Sequence, residues 1–134
     1  MTSNGLVTRR FARGDLVFRD GDQAQEAYRI VEGFVSIWRD NHGERVNVGT
    51  RGDGEIIGEM ALLDDTVRSA NVTAESDLVV EVITPDVLQS LLDGSPAVLA
   101  AILHQLLESL RTANDMLGEY QSRLRELEAA RPVA

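Results

Sequence analysis

Between Gly54 and Ala70 the chain reads GEIIGEMALLDDTVRSA, where four acids (Glu55, Glu59, Asp64 and Asp65) accompany a single base, Arg68. Arginine suits a phosphate because its planar guanidinium donates two parallel hydrogen bonds. Upstream of it stands Gly58, and glycine lets a ligand approach the backbone closely. Glu59-Met60-Ala61-Leu62-Leu63 then spells one short helix. The start of a helix offers unpaired N–H groups and a partial positive charge, which attract an anion. Glu59 itself repels phosphate but can accept hydrogen bonds from sugar hydroxyls. The segment therefore reads as a place for a phosphate beside a sugar, that is, a nucleotide. A structural ion pair of Arg68 with Asp64 or Asp65 is the competing reading.

The elements that must position these residues are short strands. Turn signals recur as Gly14-Asp15, Gly21-Asp22 and Gly52-Asp53, and alternating or apolar runs lie between them. The patterns predict strands near Leu16–Arg19, Ala27–Val31, Phe34–Arg39, Arg45–Thr50 and Glu55–Ile57, then Asn71–Ala74 and Leu78–Ile83. Glu32-Gly33 reads as a tight reversal, and Asp40-Asn41-His42-Gly43 as a hairpin loop. Many short strands at regular spacing predict a sandwich or barrel.

The last third is helical, so the fold class is α+β, mainly β. Thr84 can cap a helix that has Pro85 at its first position and ends near Asp93-Gly94. Ser95-Pro96 is expected to open a second helix in the same way. From there the apolar positions are Leu99, Leu103, Leu106, Leu110, Ala113, Leu117, Tyr120, Leu124 and Leu127, at alternating steps of four and three. That is a coiled-coil period, about 42 Å long at 1.5 Å per residue. Such a seam outreaches a small β domain, so a second copy of the chain is the expected partner for Leu117 to Leu127. Leu99 to Leu110 could equally pack on the β domain.

Composition narrows the function. The chain has 134 residues, which sets one domain, 1–134, as the expectation. With no cysteine, disulfides, thiolate metal sites and cysteine nucleophiles are excluded. His42 falls in a loop and His104 on the long helix, apart from other ligand types, so no metal or haem is expected. A net charge of −9 argues against nucleic acid as a partner. No window has the length of a membrane span and the N-terminus lacks a signal-peptide run, so a cytoplasmic protein is expected. Arg51-Gly52-Asp53 reads as a turn rather than an adhesion tripeptide, and Trp38 as packing. No Ser–His–Asp arrangement has local support, so no enzyme is expected.

The run GEMALLDDTVRSANVTA resembles the phosphate-binding cassette of the cyclic nucleotide-binding domain family, which includes the catabolite activator protein and the regulatory subunits of cyclic-AMP-dependent kinase. Phe11, Gly14-Asp15, Phe18, Gly21-Asp22, Tyr28, Ile30, Gly33, Val35 and Ile37 fall at the spacing of that family's first strands. The resemblance implies a double-stranded β-helix, a jelly-roll-like β-roll over about 7–83, with the cassette at 58–70, a hinge helix at about 85–93 and a long dimerisation helix at about 96–130. It gives Arg68 the cyclic phosphate and Glu59 the ribose 2′-hydroxyl. Gly58, Met60 and Ala61 would supply backbone contacts. Ser69 stands where serine goes with cAMP and threonine with cGMP, so cAMP is the expected ligand and cGMP the alternative. Thr112 and Asn114 lie near the position that caps the base. Val67 stands where members often have proline. No DNA-binding segment is expected after the long helix, although activator-like members carry one. The implied function is a homodimeric sensor that acts on a downstream protein still to be identified. Alternatives are a ligand-free dimerisation module, or the sensor fragment of a larger channel, kinase or transcription factor.

Overall fold

A computed structural model of the chain describes residues 6–62 and 66–130. They form two compact units, one ending at Leu91 and one starting at Leu92. The first is built from ten strands. One antiparallel sheet joins β1 (Thr8–Phe11), β10 (Leu78–Ile83), β4 (Ala27–Glu32) and β7 (Ile56–Ile57) in that spatial order. The other joins β2 (Leu16–Phe18), β9 (Asn71–Ala74), β5 (Val35–Asn41) and β6 (Glu44–Arg51). A small pair, β3 (Gln23–Ala24) and β8 (Thr66–Val67), completes the unit.

Side chains alternate across a strand, so every second residue of each sheet faces inward. Tyr28 and Ile30 of β4, Val35 of β5, Val72 and Ala74 of β9, and Leu78, Val80 and Val82 of β10 form one buried cluster with Ile57. Glu81 is also buried, and its carboxylate takes an ion pair from Arg29 on the neighbouring strand.

One turn is used three times, and it gives three of the acids a structural role. In Ala12–Asp15, Arg19–Asp22 and Gly52–Glu55 the fourth residue donates its N–H to the first carbonyl at 3.0 Å in every case. The third residue is glycine with φ of 91°, 91° and 84°. Other residues adopt that conformation only with strain. The terminal acid reaches back to the first N–H at 2.8, 3.1 and 3.0 Å. Each turn then docks through two backbone hydrogen bonds onto one residue: Ala74, Arg68 and Ile30 respectively. The third turn uses Gly54-Glu55 rather than the expected Gly52-Asp53, while Asp53 accepts a bond from the Gly33 N–H at 2.9 Å.

The expected hairpin forms between β5 and β6, with His42 at φ 54° and Gly43 at φ 86°. A two-residue loop between right-twisted strands requires such positive values. β1, β3 and β8 have no counterpart among the expected strands; two-residue strands carry no period, and β1 is mostly polar and exposed.

Helix α1 spans Pro85–Asp93, and Thr84 caps it as expected, its hydroxyl accepting the Val87 N–H at 3.1 Å. Helix α2 spans Ala97–Ala129 and is 33 residues long. Ser95 does not cap it. Pro96 precedes the helix with no side-chain cap, and Ser95 instead donates its hydroxyl to the Leu92 carbonyl at 2.7 Å, closing α1. The seam leucines of α2 are exposed, from Leu103 to Leu127. Among the described residues, no helix is long and apolar enough to cross a membrane.

Candidate functional site

Six of the eight residues singled out from sequence line one cavity of the β unit: Gly58, Glu59, Met60, Ala61, Arg68 and Ser69. Its volume is about 170 Å³. That accommodates a small molecule, since a single water needs only on the order of 15 Å³. Thr112 and Asn114 both fall within α2, in the other unit.

The cavity is lined by a 3₁₀ turn, Glu59–Leu62, which is the short helix expected over Glu59–Leu63 as far as it is described; Leu63 lies outside the described residues. The Ala61 N–H closes the turn on the Gly58 carbonyl at 3.2 Å. A 3₁₀ turn still leaves its first N–H groups without internal partners. Glu59 is exposed and Ala61 is buried.

Arg68 is only 6 % exposed, and its hydrogen-bond acceptors are neutral backbone carbonyls. Its backbone is clamped by the second Gly-Asp turn, N–H to Asp22 carbonyl at 2.7 Å and carbonyl to Gly21 N–H at 2.8 Å. Its guanidinium lies 4.0 Å over the Phe18 ring, a cation–π contact. Nη2 donates to the Glu26 carbonyl at 2.7 Å, and Nη1 to the Gly58 carbonyl at a long 3.4 Å. No carboxylate forms an ion pair with Arg68 among the described residues. Asp64 and Asp65, the partners considered from sequence, lie outside them. Gly58 fits this geometry twice over: its φ is 71°, and a Cβ there would lie 2.5 Å from Arg68 Nη1.

Behind Arg68 stands a polar network. The Glu26 carboxylate accepts hydrogen bonds from the Tyr28 hydroxyl at 2.5 Å and from Arg9 Nη1 at 2.6 Å. Burial pushes the Glu26 carboxyl up, but the two donors and the nearby Arg9 and Arg68 charges outweigh it and hold its pKa below the usual carboxylate range. Burial and the Glu26 acceptor push the Tyr28 phenol up to about 12. The Tyr28 ring stacks on Phe18 at 6.5 Å, so the network and the cation–π contact share one support.

Sequence reading missed Phe18, Ile37, Arg51 and Val72 in the lining. Strand pairing identifies three of them: Val72 is opposite Ile37, and Arg51 is opposite Val35, so Arg51 stands on the inward face of β6. Among the described residues, no group of His, Asp and Glu could hold a metal ion.

The family described as cyclic nucleotide-binding domain matches residues 8–95. The chain belongs to this family. It is 34% identical over 90 residues to a cAMP-dependent protein kinase regulatory subunit of Hypocrea atroviridis, covering 67% of this chain and 19% of that protein. It is 31% identical over 121 residues to the cyclic AMP receptor protein of Thermus thermophilus, covering 87% of this chain and 56% of that one. The chain thus spans about a fifth to just over half of these relatives' length. The structure of the EAL enzyme Bd1971 in its halfsite-occupied form matches with a TM-score of 0.80 at 30% identity, covering 82% of this chain and 99% of that one. Its cAMP-bound form matches with a TM-score of 0.61 and its cGMP-bound form with 0.62, both at 27% identity over 92% of this chain, and 34% and 33% of theirs.

Proposed function

We propose that this chain is a cyclic nucleotide sensor, cAMP being its ligand and cGMP the runner-up. The observation that carries the reading is Arg68: a buried guanidinium held by backbone carbonyls and an aromatic face inside a cavity. Burying a charge is costly unless something compensates it. An equatorial phosphate oxygen pair completes that compensation, with N–H groups of the 3₁₀ turn donating to the same phosphate. Glu59 takes the ribose hydroxyl, and Gly58, Met60 and Ala61 provide the backbone surface. Ser69 supports cAMP by its place in the family pattern. The same pattern assigns the base cap to Thr112 and Asn114.

In this reading the first unit is the β-roll of a single sensor domain, α1 is the hinge and α2 a dimerising helix. Binding has output only if the ligand prefers one of two arrangements, and its differential affinity sets the size of the shift. A downstream protein that reads α2 is coupled reciprocally to nucleotide affinity. The chain acts in this reading as a sensor rather than as a catalyst, in the cytoplasm.

Calorimetric titration of the folded chain with cAMP and with cGMP tests this. Saturable heat with cAMP is expected, with weaker binding of cGMP; heat from neither nucleotide overturns the reading and leaves a ligand-free dimerisation module.

A further inference from the structure

Arg68 is aimed chiefly by one bond, from Nη2 to the Glu26 carbonyl at 2.7 Å; the other, to the Gly58 carbonyl, is long at 3.4 Å. Gln25 and Glu26 lie between β3 and β4 and belong to neither strand. The β3 register ends at Ala24 and the β4 register starts at Ala27, so no ladder fixes the Glu26 carbonyl. The Glu26 side chain, by contrast, is tied twice. Its Oε1 accepts from the Tyr28 hydroxyl at 2.5 Å and from Arg9 Nη1 at 2.6 Å, and Arg9 Nη1 also donates to the Tyr28 hydroxyl at 3.1 Å. These three side chains close a triangle anchored on β1 and β4.

The base of the triangle is rigid. Tyr28 is buried, with Phe11 edge-on to its ring and Phe18 stacked on it, each at 6.5 Å. Both arginines lie near that ring, Arg9 at 5.5 Å and Arg68 at 5.9 Å from its centroid. The Arg9–Glu26 ion pair is half-exposed, and as a source of stability such a pair is worth little. What it can do is hold one short segment of main chain still.

We propose that Glu26 and Arg9 are positioning residues for the cyclic phosphate: their ion pair, supported by Tyr28, locks the Glu26 main chain so that its carbonyl aims the Arg68 guanidinium. The inference rests on the cyclic nucleotide reading of the cavity. Its sign separates it from plain electrostatics. The Arg68 charge acts on the Glu26 carboxylate, so by Coulomb's law alone removing that acid makes the site more positive and tightens an anion. By positioning, removing it frees the carbonyl, and the ligand must then supply the order itself, which weakens binding. Glu26→Ala deletes the side chain and leaves the carbonyl in the chain, so the two effects are read against each other directly.

The test uses the whole 134-residue chain with cAMP as the probe. Calorimetry is run on the wild type, Glu26→Ala, Arg9→Ala, Arg9→Lys and the double variant Arg9→Ala with Glu26→Ala, with a thermal melt for each to show that it folds. Glu26→Ala is expected to weaken cAMP roughly 2- to 30-fold, the range for a residue that modulates a site without touching its ligand. Arg9→Ala should cost a similar factor, and Arg9→Lys should recover much of it, since an ammonium also donates to the Glu26 carboxylate. In the double variant the loss should not exceed the larger single loss, because one link is cut twice. If Glu26→Ala does not fold, Glu26→Gln takes its place with the same expected sign, since it keeps the shape and gives up the charge-assisted bonds. Unchanged or tighter binding in the Glu26 variant overturns the proposal and leaves Glu26 as an acid near the site. Losses that add in the double variant overturn it as well, because Arg9 then acts through its own charge. If the wild-type chain binds no nucleotide, the reading of the cavity fails and this proposal fails with it; if it binds and the Glu26 variant binds as tightly, only this proposal fails.

Discussion

Arg68 Nη2 donates to the backbone carbonyl of Glu26 at 2.7 Å, across 42 residues of chain. The acceptor is neutral, so the bond orients the guanidinium without cancelling its charge. The Glu26 side chain in turn is tied to Arg9 and Tyr28, which fixes the carbonyl that does the orienting. Pre-organisation of this kind lowers what a ligand must supply to order its own contacts.

Replacing Arg68 is expected to weaken cAMP by about 2–5 kcal/mol, some 30-fold or more, the range for removing one partner of a buried charge pair. Arg68→Lys should recover little of it, since an ammonium cannot stack flat on Phe18 and bond two oxygens in parallel. Calorimetry reads both variants; affinity within about threefold of wild type in Arg68→Ala would place the phosphate elsewhere.

Gly58→Ala should damage fold and site together. The Gly58 φ is 71°. An L-residue in that left-handed region costs roughly 1–2 kcal/mol. The added Cβ, 2.5 Å from Arg68 Nη1, must also push the guanidinium off the Gly58 carbonyl. A lower melting temperature and a larger loss of cAMP affinity are expected than for Gly43→Ala, whose Cβ meets nothing within 4 Å although its φ is also positive. Equal effects in the two variants would show that only backbone strain matters.

Much of this is legible in the sequence. Gly58, Glu59, Met60, Ala61, Arg68 and Ser69 are adjacent in two short runs close together in the chain, so their convergence is readable from local sequence. Asn71–Ala74 and Leu78–Ile83 emerge at the expected bounds, the first because polar and apolar residues alternate in it and the second because apolar residues dominate it. Arg51 reads from sequence as part of a turn, since its role depends on which strand pairs with β5 and in which register. The Glu26 carbonyl carries no side-chain signal at all. The cation–π support of Arg68 is equally hidden, because Phe18 is remote from it in sequence and reaches it through the β2–β9 pairing and the Arg19–Asp22 turn.

The Glu26–Tyr28 bond predicts a stability profile with two pH-dependent limbs. Glu26 has a lower pKa folded than unfolded, so its contribution is present above the unfolded carboxylate value and is lost as pH falls through the folded one. Tyr28 behaves oppositely: its phenol ionises near 10 unfolded and at about 12 folded, so stability falls as pH rises across that window. Melting temperature measured against pH should show a shallower acid limb in Glu26→Gln and a shallower alkaline limb in Tyr28→Phe. An alkaline limb unchanged in Tyr28→Phe would remove the phenol from the network.

Helix α2 makes the last prediction. Leu106, Leu110, Leu117 and Leu127 are each more than half exposed, on one stripe of a 33-residue helix. Leucine at every first heptad position, 103, 110, 117 and 124, fits a self-associating seam. An isolated apolar stripe of this length in water is unfavourable by roughly 25 cal/mol for each Å² left uncovered. At micromolar concentration the chain is expected to sediment with twice its own mass, and Leu117→Glu with Leu124→Glu together should return it to a single copy. Single-copy mass in the wild type would overturn the dimer, and a double variant that still sediments as a dimer would move the interface away from α2.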